Sequence, residues 1–449
     1  MFSKILIANR GEIALRIIRA AKELGVKTVA VFSEADKDSL HTILADEKVC
    51  IGPAKASDSY LNIPNIISAA LITKAEAVHP GYGFLAENPR FPEICKQEGL
   101  VFLGPSASLM RVLGDKNRAR QEMKKAKLPI LPGSEGIIKD LNEAEKTAKK
   151  VGYPIILKAT AGGGGKGMRI VRSFSNLESQ FTIAQNESNS AFGNPNLYIE
   201  KYIENARHIE IQVIRDFRGQ VMAFGERECS VQRKHQKILE ETPSTFIDEK
   251  TRKKIIKAVE TATEHIDYHS LGTFEFLVDS KKNFYFMEAN TRVQVEHPVT
   301  EMVYGIDLIK EQIRIAAGED LSLSHDLRLK GHSIECRINA EDPHSFAPSP
   351  GKIDFLVFPG GEGIRVDSAA YQGWNIPPDY DSLIAKIISY APTRKEAVKK
   401  IQIALEMTTI VGVKTNIPLH LNILSNSDFL KGKYNTQFLE KLISTKADL

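Results

Sequence analysis

The chain has 449 residues, 42% hydrophobic and 26% charged, with 60 Lys and Arg against 56 Asp and Glu and a net charge of +4. That is enough chain for two to four domains with real cores, and the near balance of charge argues against a nucleic-acid surface or an anionic membrane as the main partner. MFSKILIANRGE has no apolar signal core, no later apolar run has membrane-spanning length, and four distant cysteines (Cys50, Cys95, Cys229, Cys336) fit neither a zinc site nor a disulfide framework, so a cytoplasmic protein without membrane insertion is expected.

In chain order, Lys4 to Asn9 reads as a buried strand, GEIALRIIRAAKELG as an amphipathic helix ending at Gly25, and KTVAVFS as a second strand. Further short strands ending in HPGYGFLAEN and VFLGPS predict an α/β, Rossmann-like parallel sheet over residues 1–113. Its first turn, NRGE, has one glycine where a dinucleotide fingerprint needs GxGxxG, which argues against a dinucleotide site.

From Gly114 the texture changes. GDKNRARQEMKKA looks helical, and the Pro and Gly clusters of LPILPGSEG mark a boundary. In YPIILKATAGGGGKGMRIVRS, Gly162, Gly163, Gly164 and Gly165 join two strands, with Lys158 at the end of the incoming one. The loop is either a plain glycine hairpin or a phosphate cradle in which bare backbone N–H groups approach anionic oxygens. It is not a Walker A loop, because Gly167 follows Lys166 where Ser or Thr should hold magnesium. Glu200, Lys201 and Ile203 then offer polar groups beside apolar atoms at a turn between strands, a combination that suits an adenine ring but also a solvated connection. Gln232, His235 and Lys237 form a polar cluster without the rhythm of a surface helix.

In GTFEFLVDSKKNFYFMEAN, strands Thr273–Asp279 and Asn283–Asn290 flank a Ser-Lys-Lys-Asn turn. A hairpin closing symmetrically about Lys281–Lys282 places Glu275 opposite Glu288. Opposed carboxylates destabilise a sheet unless a cation lies between them, and Glu275, Glu288 and Asn290 form a hard-oxygen set suited to Mg²⁺. If EANTRVQVEHP continues extended, Glu288, Asn290, Arg292, Gln294 and Glu296 share one face. Arg292 then offers a fork for a planar anion, and Glu296 a carboxylate that can act as a base.

These residues compose a nucleotide-triphosphate site beside a small-anion site, and the combination resembles the ATP-grasp enzymes. IANRGEIALR, HPGYGFLAEN, KATAGGGGKGM, RECSVQRKHQK, FEF followed by EANTRVQVEHPVTE, and ECRINAEDP with PSPGKI stand in the order found in the biotin carboxylases, so the chain is similar to that family from Met1 to about the last ten residues. The resemblance implies an ATP-grasp fold of mixed α/β and α+β class: a Rossmann-like N-terminal domain (1–113), an ATP-grasp domain (114–330) with a mobile glycine-rich lid (about 131–203), and a C-terminal α+β domain (331–449) of strands then helices closing over the core.

It also implies a reaction, in which MgATP (or MnATP) activates bicarbonate as carboxyphosphate and the carboxyl group passes to N1′ of biotin on a separate protein, as in bacterial-type acetyl-CoA carboxylase and fatty acid synthesis. A pyruvate or propionyl-CoA carboxylase, or an ATP-grasp amine ligase, is the alternative. By motif match, Lys116, Lys158, Glu200, Lys201, Ile203, His208, Gln232 and His235 would contact ATP, with Gly162–Gly165 closing over its phosphates. Glu275, Glu288 and Asn290 would hold the metal. Lys237, Arg292, Gln294 and Val295 would bind bicarbonate, Glu296 would be the base, and Tyr82 and Arg337 would face biotin. Departures from the family pattern are mild: EAN stands where EMN is common, and Ile203 where Leu is. No Met-Lys-Met tripeptide occurs, so biotin is expected on a partner carrier protein, with carboxyltransferase subunits as further partners and a homodimer as the expected assembly.

Overall fold

The computed structural model describes residues 1–160, 168–234, 236–324 and 326–447. Near the N-terminus five parallel strands lie in the order Glu47–Cys50, Lys27–Phe32, Lys4–Ile7, Ala77–His79 and Val101–Phe102. Ile5, Leu6 and Ile7 are all buried, as a parallel strand covered on both faces requires. Helix Gly11–Glu23 buries Ile13, Ile17 and Ile18 and stops before Gly25, whose φ of +74° suits glycine. The first strand is shorter than expected. The Asn9 side chain donates instead to the carbonyls of Pro80 and Tyr82, both at 2.7 Å, and so shapes the HPGYG loop at the carboxyl end of the sheet.

A small antiparallel sheet follows, Met168–Val171, Ile155–Ala159 and Leu197–Lys201. Strands Ile155–Ala159 and Met168–Val171 pair as the flanks of the glycine loop were expected to, with Lys158 opposite Met168. Helices Leu141–Val151 and Leu177–Phe192 give this piece a core of its own around Leu157, Phe181 and Ile199.

The main sheet is antiparallel, in the order Phe284–Asn290, Ser270–Val278, Arg207–Arg215, Arg227–Arg233, Gln236–Thr242, His332–Asn339, Leu383–Ala391 and Ile364–Ser368, with Val221–Ala223 beside Arg207–Arg215. It runs straight across the boundary expected at residue 330, because Gln236–Thr242 pairs with His332–Asn339 from Leu239↔Cys336 to Thr242↔Ser333. The last third therefore extends the sheet edge to edge, and its helices, such as Arg394–Met407, pack on that extension.

Glu275 does face Glu288, but not through a symmetric hairpin. At the tip Val278 faces Phe284 and Phe276 faces Phe286, one residue tighter than symmetry about Lys281–Lys282 demands. A bulge that takes up Met287 restores the glutamate pair. The extended run also ends early: the strand stops at Asn290, and Glu296 is the N-cap of helix His297–Tyr304. Its polar side chains converge because the chain turns there, which strand alternation could not have told.

Gly81 tests the HPGYG loop. Its φ is +62°, and an added Cβ would lie 2.8 Å from Asn9 Nδ2. Gly81→Ala is expected to destabilise the protein by about 1–2 kcal/mol, read as a lower urea midpoint, and to weaken whatever binds at Tyr82.

Candidate active site

Glu288, Glu275 and Glu210 stand directly opposite one another on three adjacent strands, and Arg227 stands opposite Glu210 on the fourth. Such a row of like charges is destabilising unless cations are threaded through it. Lys237 Nζ donates to Glu210 at 2.5 Å, Glu296 at 2.6 Å and Glu275 at 3.1 Å. Arg227, 0% exposed, donates to Glu210, to Gln212 and Gln294 at 2.8 Å, and to Thr300 at 3.0 Å. Burial opposes the charge on Lys237, but Glu210, Glu275 and Glu296 outweigh it and hold the ammonium well above its usual range. Two donor groups here, His208 with Glu210 and Glu275, and Glu210 with Cys229 and Glu296, are compact enough for a metal ion. Lys237 already supplies the positive charge between them, since it contacts all three of these glutamates.

Glu275 is heavily used. One oxygen accepts from Asn290 at 2.7 Å and Gln294 at 2.6 Å, the other from His208 Nε2 at 2.7 Å. Arg292 donates to the Asn290 carbonyl oxygen at 3.0 Å and pairs with Glu87 of the N-terminal segment at 3.2 Å. The Val295 carbonyl accepts from the buried Lys386 at 3.0 Å, and Lys386 is also 3.1 Å from Glu12. The hydroxyl of Tyr82 donates to that same Glu12. Glu296 accepts from Lys237 and, at 2.9 Å, from Arg337 Nη2. Burial pushes its carboxyl upward, but Lys237, Arg337 and Arg227 more than reverse this, so Glu296 stays ionised far below neutral pH. Arg337 does not pair with Glu335 or Asp342, two acids close to it in sequence; its partners are Glu240 and Glu296, and Asp342 pairs with Lys414.

Most of the residues expected from the sequence to meet a nucleotide lie on the small sheet and on the main sheet. Lys158 donates to Glu200 at 2.6 Å, and Arg120 pairs with the other Glu200 oxygen. Burial, with Lys116 and Arg120 nearby, pushes the Lys158 ammonium down to about 8, a state that an incoming polyphosphate would reverse. Lys116 is exposed at the start of helix Lys116–Lys125. Lys201 turns its side chain away, donating to the carbonyls of Gly152 and Tyr153 at 2.9 Å, so only its backbone remains for a ligand. Ile203 is partly buried just past that strand, while Gln232 and His208 are buried on the main sheet. Gly162–Gly165 and His235 lie outside the described residues.

Glu288 is the carboxylate left over. Among the described residues it accepts no hydrogen bond, and burial together with Glu275 raises its pKa. A half-buried carboxylate without a partner, facing Glu275 with Asn290 beside it, suits a hard divalent cation. Sequence reading missed Glu210, Arg227, Glu87 and Glu240. The signal for Glu210 was present: in RHIEIQVIR, His208, Glu210 and Gln212 alternate with Ile and Val on one face of strand Arg207–Arg215.

Three family models cover the chain: Biotin carboxylase, N-terminal domain, at residues 1–110; Carbamoyl-phosphate synthase L chain, ATP binding domain, at 115–324; and Biotin carboxylase C-terminal domain, at 335–441. Biotin carboxylase 1 of Bacillus subtilis is 54% identical over 443 residues, 98% of either chain. The crystal structure of a biotin carboxylase complex with β,γ-ATP from Campylobacter jejuni superimposes with a TM-score of 0.95 at 49% identity, covering 98% of this chain and 99% of that one. The biotin carboxylase domain dimer of Hydrogenobacter thermophilus 2-oxoglutarate carboxylase, with MgADP, ADP and bicarbonate, gives 0.93 at 51% identity and covers 99% of both chains.

Arg227→Met is expected to cost about 3–5 kcal/mol, because it leaves Glu210 to Lys237 alone and strips Gln212, Gln294 and Thr300 of their buried donor. A large fall in melting temperature should show this. An unchanged one would mean that Lys237 alone neutralises the row.

Proposed function

The chain belongs to the biotin carboxylase family, and from that premise we propose that this site uses MgATP and bicarbonate to carboxylate biotin borne by a separate carrier protein. The observation that carries the reading is the convergence of Lys237, Arg292, Gln294 and Arg337 with one ionised carboxylate, Glu296. Lys237 and Arg292 would receive bicarbonate, with Gln294 and the backbone of Val295 orienting it. Glu296 would take its proton, and the freed oxygen would attack the γ-phosphorus of ATP, forming carboxyphosphate and ADP. The carboxyl group then passes to N1′ of biotin as the C–O bond to phosphate breaks, and the departing phosphate takes the N1′ proton.

Glu296 as it stands is a weak base, because two cations hold it. Bicarbonate accepting from Lys237, and a biotin oxygen accepting from Arg337, would each draw a cation away and raise its proton affinity when a proton must move. Lys116, Lys158, Glu200, Ile203, His208, Gln232 and His235 would bind the nucleotide, with Lys201 contributing its main chain and Gly162–Gly165 covering the phosphates. Glu275, Glu288 and Asn290 would hold Mg²⁺ or Mn²⁺, which when bound neutralises the phosphates. For Asn290 this requires its oxygen to leave Arg292. Tyr82, whose hydroxyl is spent on Glu12, would offer biotin its ring.

Biotin carboxylases act with a biotin carrier protein. For this chain we place the half-reaction in an acetyl-CoA carboxylase with carboxyltransferase subunits and a homodimeric assembly. The 2-oxoglutarate carboxylase relative supports a second reading, in which the partner carries the carboxyl group to a 2-oxo acid. Reconstitution with each purified partner, following carbon-14 from bicarbonate into malonyl-CoA or into a 2-oxo acid product, separates the two. Among the described residues no helix is long and apolar enough to cross a membrane.

Glu288→Gln should raise the Mg²⁺ concentration needed for half-maximal turnover while leaving the melting temperature near wild type, since among the described residues Glu288 has no hydrogen-bond partner to lose. Glu296→Gln should abolish biotin carboxylation between pH 6 and 9. Arg337→Gln should lower it by roughly 10² to 10³, while bicarbonate-dependent ATP hydrolysis without biotin falls far less. An equal loss of both activities would reduce Arg337 to a structural ion pair.

A further inference from the structure

Beside the catalytic residues lies a second pair of opposed carboxyls that the chemistry above does not use. Glu240 and Glu335 are register partners on strands Gln236–Thr242 and His332–Asn339, and both are 0% exposed. Glu240 Oε1 accepts from Arg337 Nε at 2.7 Å and lies 2.5 Å from Nη2. Its other oxygen, and both oxygens of Glu335, are buried without a hydrogen-bond partner among the described residues. Two adjacent carboxylates cannot both be ionised in a dry sheet at modest cost. Arg337 engages only one of them, so the other is the natural seat of a proton. The same Nη2 reaches Glu296, so a single guanidinium is held between Glu240 and the proposed base.

We propose that Glu240 is a positioning residue for the biotin half-reaction: ionised, it clamps Arg337 beside Glu296, while Glu335 opposite it carries the proton that lets the two carboxyls share the sheet. This rests on the reading that Arg337 meets biotin. The charged groups around Glu240 are Arg337 and Glu335 from the next strand, Glu296, and Lys237 of its own strand. Lys386 from strand Leu383–Ala391 faces Glu335, and the thiols of Cys229 and Cys336 lie close to Glu240. Burial is the largest influence on both carboxyls. It drives Glu335 far above the carboxylate range, and it takes Glu240 up to about 7 against the pull of Arg337.

The sign follows. Above neutrality Glu240 is ionised and the clamp is whole; as pH falls through about 7, protonation removes the charge that aligns Arg337. The ratio of biotin carboxylation to bicarbonate-dependent ATP hydrolysis should therefore fall on the acid side in the wild type. Bicarbonate supply affects both rates alike and cancels.

The experiment measures that ratio, with melting temperatures, for wild type, Glu240→Gln, Glu335→Gln, Arg337→Gln and the Glu240→Gln/Arg337→Gln double variant. Glu240→Gln should lower the ratio on the order of tenfold to a hundredfold and remove its acid limb. Glu335→Gln, which mimics a protonated acid, should leave both rates near wild type. The double variant should be hardly worse than Arg337→Gln alone, because Glu240 acts through Arg337. A selective loss in Arg337→Gln with none in Glu240→Gln would overturn the positioning role and leave the reading of Arg337 standing. An unaffected ratio in Arg337→Gln would sink that reading itself. If Glu240→Gln does not fold, the wild-type profile decides: a ratio flat from pH 6 to 9 overturns the proposal.

Discussion

Everything at this site depends on two buried cations set into a row of acids. Glu210, Glu275 and Glu288 face one another across adjacent strands, and without Lys237 and Arg227 that register would repel itself. With them, the mutual attraction is shared by four strands and by the loop ahead of helix His297–Tyr304, because Lys237 and Arg227 between them reach Glu210, Gln212, Glu275, Gln294 and Glu296. The arrangement offers an entering anion ready-made donors. It also leaves Glu288 at the edge, the one acid of the row with no donor among the described residues.

The continuous sheet explains how two segments of the chain can hold one carboxylate. Glu296 takes Lys237 from the ATP-binding segment and Arg337 from the C-terminal segment, and the strands carrying these cations are hydrogen-bonded neighbours. No hinge lies between them. The N-terminal segment adds a third side: Glu87 steadies Arg292, and Glu12 links Tyr82 to the fully buried Lys386, which in turn holds the Val295 carbonyl. The small sheet bearing Lys158 has its own core, and the link that leads into it bridges to the main sheet at Ile130 with Phe286.

Much of this was legible in the chain. The βαβ start, the strands flanking the glycines, the Glu275–Glu288 pair and the family resemblance all came from local pattern, because side-chain periodicity and glycine placement are consequences of backbone geometry within a few residues. Arg337 was readable only by resemblance, and its partners were not readable at all. Glu240 lies ninety-seven positions away, and the acids nearest in sequence do not pair with Arg337. The hairpin shows the limit from another side: the right pair was reached by a symmetric closure that the structure replaces with a tighter tip and a bulge at Met287.

The sequence by itself determined the element types and, through the order of its motifs, the family resemblance that names the candidate groups, since those are written in short stretches of chain. Only the tertiary structure decided which acid each cation answers to: Lys237 among three glutamates, Arg227 spanning the sheet face, Arg337 between Glu240 and Glu296, and Glu335 left without a donor. Electrostatic partnership in a dry interior depends on distances of a few ångströms between residues far apart in the chain, and strand register fixes those distances only once the whole sheet has formed.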